Sequence, residues 1–167
     1  FSVSHLGEHG ADKCFDVYTI APKRALVRAI NGLYTMPDYE FDDFEKGGVK
    51  LPDIFLVPGN SLLAAVCQHN KNTSCLALAT SGGLGTRPLL SDERVLSFIK
   101  RAGTQAQLLL SVCTGALLLG KLAFLDGLTV TTHWRSLDVL REIAPRAKVL
   151  EDVRFTDKCA HHTIRSR

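Results

Sequence analysis

The residues best equipped to do chemistry stand together in Cys113-Thr114-Gly115, with His133 further along. Leu108 to Val112 precede the cysteine as a short, nearly continuous apolar run, the pattern of a strand buried on both faces. Ala116 to Leu125 follow, with Ala116, Leu119 and Ala123, and Leu117, Gly120 and Phe124, at helical offsets. Cys113 therefore sits where a strand hands over to a helix. At such a place the amides of the next residues point at the side chain from the helix N-terminus, and their partial positive charge favours a thiolate and an oxyanion. Cys113 is thus a candidate reactive thiol, with the amides that follow it as candidate oxyanion donors. Asp126-Gly127 stops the helix, and Leu128 to Thr132 is a β-branched run ending at His133, a candidate neighbour of the thiol at the same sheet edge.

Plainer readings compete. Leu108–Leu125 has nearly the length of a membrane span, but Ser111, Thr114, Lys121 and two glycines interrupt it. Cys113 could be an inert core thiol, since free cysteines are often buried; the Thr-Gly after it and the downstream histidine weigh against that. His133 reads equally well as a catalytic imidazole or as a histidine packed beside Trp134.

The elements that would carry these residues are legible around them. Phe15–Ile20 alternates in the manner of a strand and stops at Ala21-Pro22. Arg24–Ile30 is open between strand and helix, with Asn31-Gly32 a hairpin-type turn after it. Tyr39–Lys46 reads as a loop or short helix. Ile54–Val57 is a second buried parallel strand, ended by Pro58-Gly59, and glycine there permits close backbone approach. Ser91 is positioned to cap a helix whose apolar face is Val95, Phe98, Ile99 and Ala102, with Gly103 closing it. Arg135–Ala144 is a helix ended by Pro145, and Lys148–Leu150 and Val153–Phe155 are strand-like.

Ser111-Val112-Cys113-Thr114-Gly115 and Thr131-Thr132-His133-Trp134, at their separation, resemble the nucleophile elbow of the ThiJ/PfpI superfamily, relatives of class I glutamine amidotransferases. Two branches are most similar: isonitrile hydratase-like proteins and the amidotransferase-like domain of AraC-type regulators. The resemblance implies an α/β protein, a three-layer α/β/α sandwich of flavodoxin-like type with a mostly parallel sheet and its site at the strands' carboxyl edge. It implies Cys113, Thr114 and His133 as catalytic residues, and Gly59, Gly83, Gly85 and Gly115 around the oxyanion and substrate. It implies no cofactor and no metal, a small-molecule substrate, and a homodimer as one arrangement. The implied activity is hydration of an isonitrile to an N-substituted formamide. The alternatives are a non-catalytic ligand-sensing domain and an inactive, truncated product.

Where the chain departs from the pattern is equally specific. Residues 60–81 have no counterpart, and the family phrase resumes at Gly82-Gly83-Leu84-Gly85-Thr86. The segment reads as an insertion, a lid or a retained intron, with neither clean periodicity nor loop chemistry. The resemblance covers most of 1–157, with a divergent tail at 158–167. The first strand, with the acidic residue it carries in relatives, and the last helix are expected to be lacking. The chain begins Phe1-Ser2-Val3, without methionine or a signal-peptide pattern, and so reads as the interior of a longer sequence.

Composition narrows the classes. The 167 residues suit one domain with a proper core. A net charge of +3 without a basic run gives no argument for nucleic-acid binding, and none is expected for a membrane. Five cysteines, an odd number without framework spacing, point to a reducing, cytoplasmic setting. Cys159-Ala160-His161-His162 lacks the second ligand pair of a structural zinc site.

Overall fold

The structure is a computed structural model that describes residues 16–28, 34–59, 74–78, 86–157 and 163–165, with the backbone alone for 28, 74–78 and 163–165. In chain order the elements are β1 (Asp16–Ala21), β2 (Val27–Arg28), β3 (Tyr34–Thr35), β4 (Tyr39–Glu40), α1 (Phe41–Glu45), β5 (Ile54–Val57), β6 (Ser74–Leu78), α2 (Thr86–Leu89), α3 (Glu93–Gln105), β7 (Leu108–Ser111), α4 (Gly115–Lys121), β8 (Thr129–Val130), a 3₁₀ turn (Trp134–Ser136), α5 (Leu137–Ile143), β9 (Lys148–Val149) and β10 (Thr163–Arg165).

Six strands make one sheet in the order β10-β7-β5-β6-β1-β4, and every pairing in it is parallel. In the flavodoxin-like order 2-1-3-4-5, β1, β5, β7 and β10 stand in places two, three, four and five. The first place, which the resemblance leaves open, is held by β6. Its backbone pairs with β1 from Asp16↔Ser74 to Ile20↔Leu78, and with β5 from Ile54↔Cys75 to Leu56↔Ala77. Part of the 60–81 stretch thus lies at the centre of the sheet; the rest of it falls outside the described residues.

The core explains why these strands read as apolar runs. Phe55 and Leu109 are paired across β5 and β7, and both are buried. Phe98 of α3 seals that face: it stacks on Phe41 at 4.1 Å between ring centroids and meets Phe44 and Phe55 edge-on. The α3 face is the one the spacing predicts, with Val95, Phe98, Ile99 and Ala102 buried. Its cap is Asp92 rather than Ser91: the Asp92 carboxylate accepts from the N–H groups of Arg94 and Val95. Gly103 does not close the helix, which runs on to Gln105. It is buried, and a Cβ there would lie 3.1 Å from the Phe124 ring.

Three further expectations are corrected. The run Leu128–Thr132 yields only β8, which pairs with β9 in a separate two-stranded sheet, so His133 does not end a strand of the main sheet. The helix after Cys113 is shorter than Ala116–Leu125, ending at Lys121 and giving way to turns through Gly127. Val153–Phe155 forms no strand. The arms β2 and β3 pair antiparallel as the hairpin reading predicts, while Asn31-Gly32 lies outside the described residues. Among the described residues, no helix is long and apolar enough to cross a membrane.

Proline lacks the N–H that an interior strand must donate on one side. Ala77 pairs with both Thr19 and Leu56. Ala77→Pro is therefore expected to lower the thermal midpoint sharply or abolish cooperative unfolding, by circular dichroism. A segment that merely looped out would tolerate proline, leaving the midpoint unchanged.

Candidate active site

The site grows from the pairing of β5 with β7. Their register ends at Val57↔Ser111, and Val112 N–H continues the ladder to the Val57 carbonyl at 2.9 Å. Pro58-Gly59 and Cys113-Thr114 therefore leave the sheet side by side at its carboxyl edge. Cys113 turns the chain with φ of +56°, in the left-handed region that a residue bearing a Cβ occupies at a cost of about 1–2 kcal/mol. Thr114 returns to right-handed helical angles, and α4 begins at Gly115.

Two glycines let this turn close. A Cβ on Gly59 would lie 2.5 Å from Cys113 Cβ, 2.6 Å from Thr114 N and 2.7 Å from the Val112 carbonyl oxygen. A Cβ on Gly115 would run into the Val57 carbonyl oxygen and come within 2.9 Å of the Pro58 carbonyl. Both strand ends can touch only because neither carries a side chain there.

The backbone groups of the turn are apportioned between structure and chemistry. Gly115 N–H donates to the Val112 carbonyl at 3.0 Å, and Leu117 N–H to the Thr114 carbonyl at 3.0 Å. Thr114 N–H donates to no carbonyl among the described residues, and it lies against Gly59, beside the thiol-bearing carbon. It is thus an amide available to meet a developing negative charge. The Thr114 hydroxyl faces inward: the residue is 4% exposed, and its Oγ1 shares a 3.0 Å hydrogen bond with Oγ1 of buried Thr86. Thr86 follows the glycine phrase directly, so the chain re-enters at the site; Gly83 and Gly85 themselves lie outside the described residues. The Cys113 side chain is a half-buried free thiol.

The Thr131-Thr132-His133 phrase reaches the site in two directions. Thr131 Oγ1 donates to the Leu150 carbonyl at 3.0 Å, which ties the end of β8 to the end of β9. Thr132 Oγ1 donates to the Cys113 carbonyl at 2.8 Å. His133 therefore follows a residue bonded to the turn itself. Its ring, half-buried, accepts from Arg135 N–H at Nδ1 (3.2 Å) and stacks on Trp134. No hydrogen bond joins the imidazole to the Cys113 thiol. With Nδ1 accepting, the proton of the neutral ring sits on Nε2. Of the expected residues, the structure brings together Cys113, Thr114, Gly115 and Gly59, and it delivers His133 next to a contact of the turn. Thr86 and Thr132 join the site without having been singled out. Thr132 stands in the motif, but a hydroxyl-to-carbonyl bond across the fold leaves no mark in spacing.

Two surface concavities, of about 390 and 450 Å³, flank α3 and include Arg101 and Ser97; neither contains a residue of this site. No group of three or more His, Cys, Asp or Glu side chains could hold a metal among the described residues, and Cys159-Ala160-His161-His162 lies outside them.

A parallel α/β sheet whose carboxyl edge presents a cysteine on a strained strand-to-helix bend defines the class of protein. The particular family is DJ-1/PfpI: its profile matches residues 10–163, and the chain belongs to it. The chain is 44% identical to the isonitrile hydratase of Pseudomonas putida over 63 residues, which are 38% of this chain and 28% of that protein. A ThiJ/PfpI family protein from Pseudomonas syringae superposes with a TM-score of 0.62 at 23% identity, covering 90% of this chain and 50% of that one. An AraC family transcriptional regulator from Pseudomonas putida superposes with a TM-score of 0.52 at 18% identity, covering 88% of this chain and 63% of the regulator. The chain thus spans half of the ThiJ/PfpI structure, and its aligned stretch spans less of the hydratase. At these identities the two structures share the flavodoxin-like fold.

Two substitutions probe the bend. Cys113→Gly removes the left-handed penalty and is expected to leave stability level or raise it by up to about 1 kcal/mol in denaturant melts, while deleting the thiol. Gly59→Ala meets backbone on two sides; it is expected to cost about 1–3 kcal/mol and to slow alkylation of Cys113 by iodoacetamide, mapped by peptide mass spectrometry.

Proposed function

We propose that this domain performs isonitrile hydratase-like chemistry with Cys113 as nucleophile. The observation that carries the reading is the free Thr114 N–H beside a thiol-bearing residue held at φ +56°. Strained, over-determined backbone of this kind clusters at reactive sites. The local identity to an isonitrile hydratase supports an isonitrile as the substrate class.

The reaction can be written with the groups at hand. The thiolate adds to the terminal carbon of the isonitrile, forming a C–S bond, and that carbon takes a proton from a general acid to give a thioimidate. Water adds to the same carbon while the nitrogen takes a proton. As the tetrahedral carbon collapses, charge grows on its oxygen, where Thr114 N–H can meet it. The C–S bond breaks, the thiolate is restored, the hydroxyl proton returns to the acid, and an N-substituted formamide leaves. The sum is isonitrile plus water. Nε2–H of His133 is our candidate for the acid. Gly59 and Gly115 let the two strand ends close around the thiol-bearing bend. A reducing, cytoplasmic setting would keep the thiol available.

The similarity to an AraC-type regulator supports a second reading, in which the same edge senses a small ligand without turning it over. Incubation with a simple alkyl isonitrile separates the two. The catalytic reading expects formamide by proton NMR and its loss, by at least about a thousandfold, in Cys113→Ala and Cys113→Ser, as for a nucleophile acting within a unit. His133→Gln is expected to lower turnover by about a hundredfold or more, the usual contribution of a general acid. Saturable binding without product would favour the sensor, and formamide formed equally by Cys113→Ala would sink the mechanism.

A further inference from the structure

We infer that Thr132 is a positioning residue that sets the oxyanion-binding amide by holding the other end of the same peptide group. This inference rests on the cysteine reading of the site and deepens it. The Cys113 carbonyl and the Thr114 N–H belong to one planar peptide, and no cis peptide bond occurs among the described residues. In a trans peptide the C=O and N–H point in opposite directions. The Thr132 hydroxyl, on a residue 8% exposed, donates to the Cys113 carbonyl at 2.8 Å. Whatever fixes that carbonyl fixes the direction of the amide.

Little else does so. The Ala116 N–H approaches the Cys113 carbonyl only at 3.5 Å, the outer limit of a hydrogen bond. Around the bend the neighbouring peptides are secured by backbone bonds, Val112 N–H to Val57 and Gly115 N–H to Val112. The Cys113–Thr114 peptide follows a residue held at φ +56°, and its plane turns about ψ of Cys113 and φ of Thr114. A flipped plane would turn a carbonyl, rather than an N–H, toward Gly59. Thr132 opposes that flip from the segment just after β8, outside the main sheet. This gives the second threonine of the Thr131-Thr132-His133 phrase its role: Thr131 anchors the strand to Leu150, and the next residue, facing the opposite way, grips the turn. Thr114 itself cannot replace the grip, because its hydroxyl is engaged with Thr86.

The test compares Thr132→Val, which keeps the shape and loses the donor, with Thr132→Ser, which keeps the donor. Two readouts are needed: the Thr114 amide cross-peak in a ¹⁵N–¹H spectrum, and the rate at which iodoacetamide alkylates Cys113 at a fixed pH, read peptide by peptide. Thr132→Val should displace or split the Thr114 cross-peak and slow alkylation on the order of tenfold, the size of one lost hydrogen bond. Thr132→Ser should restore both. If Thr132→Val lowers the melting temperature but leaves the cross-peak and the rate in place, the residue is only structural and the inference falls. Should Thr132→Val fail to fold, Thr132→Ala is read by the same two measures. A wild-type Cys113 that resists iodoacetamide would overturn the proposed function, while the Thr114 cross-peak would still decide the clamp.

Discussion

The structure depends on a contact that admits no side chain. Gly59 lies so close to Cys113 and Thr114 that an added Cβ would come within 2.5–2.7 Å of side chain and backbone alike. Because the ends of β5 and β7 meet there, the chain after β7 must bend at once. It does so at a cysteine held in the left-handed region, a conformation that glycine or asparagine would take more cheaply. The parallel register beneath, from Ile54↔Leu108 to Val57↔Ser111, brings the two ends level. Phe55, Leu109 and Phe98 hold that register by burial. Core packing and site geometry are thus one problem: shift β5 against β7 by a residue, and Gly59 no longer faces the bend.

Polar groups at the site follow the same economy. An unpaired buried hydroxyl costs about 1–3 kcal/mol. Thr86 and Thr114 satisfy each other, and Thr132 satisfies itself on a carbonyl of the bend. Each bond also ties a separate segment to the turn: Thr86 the chain entering α2, and Thr132 the chain leaving β8. The bend is therefore held from both sides by groups that stabilise it only in its present shape.

Much of this was legible in the sequence because it follows from burial. Ile54–Val57 and Leu108–Ser111 are apolar throughout, as strands covered on both faces must be, and Val95, Phe98, Ile99 and Ala102 fall on one helical face. Cys113 was legible because a thiol between those patterns and Thr-Gly has few structural uses. What escaped was decided by contacts across the fold. Ser74–Leu78 is too short an apolar run to declare itself, and it becomes a strand only because β1 and β5 flank it with free hydrogen-bonding edges. Leu128–Thr132 looks like sheet and is one, but its partner is β9, so the sequence misplaced His133. Gly103 looked like a stop, yet its missing side chain is what lets Phe124 close on α3. Thr132 was visible as a letter in a motif but not as a donor.

The geometry also bears on which of the two functional readings the chain favours. A domain that only senses a ligand needs a shaped surface, and glycine or asparagine at the bend would shape it at lower cost than cysteine. Here a side chain bearing a Cβ is kept in the left-handed region, a half-buried thiol is kept on it, and the adjoining Thr114 N–H meets no carbonyl among the described residues. The left-handed residue and the amide without a carbonyl partner each lower stability by themselves, and both suit attack by sulfur followed by stabilisation of an oxyanion. A reactive thiol would account for both together, which is the physical ground on which the proposed chemistry rests.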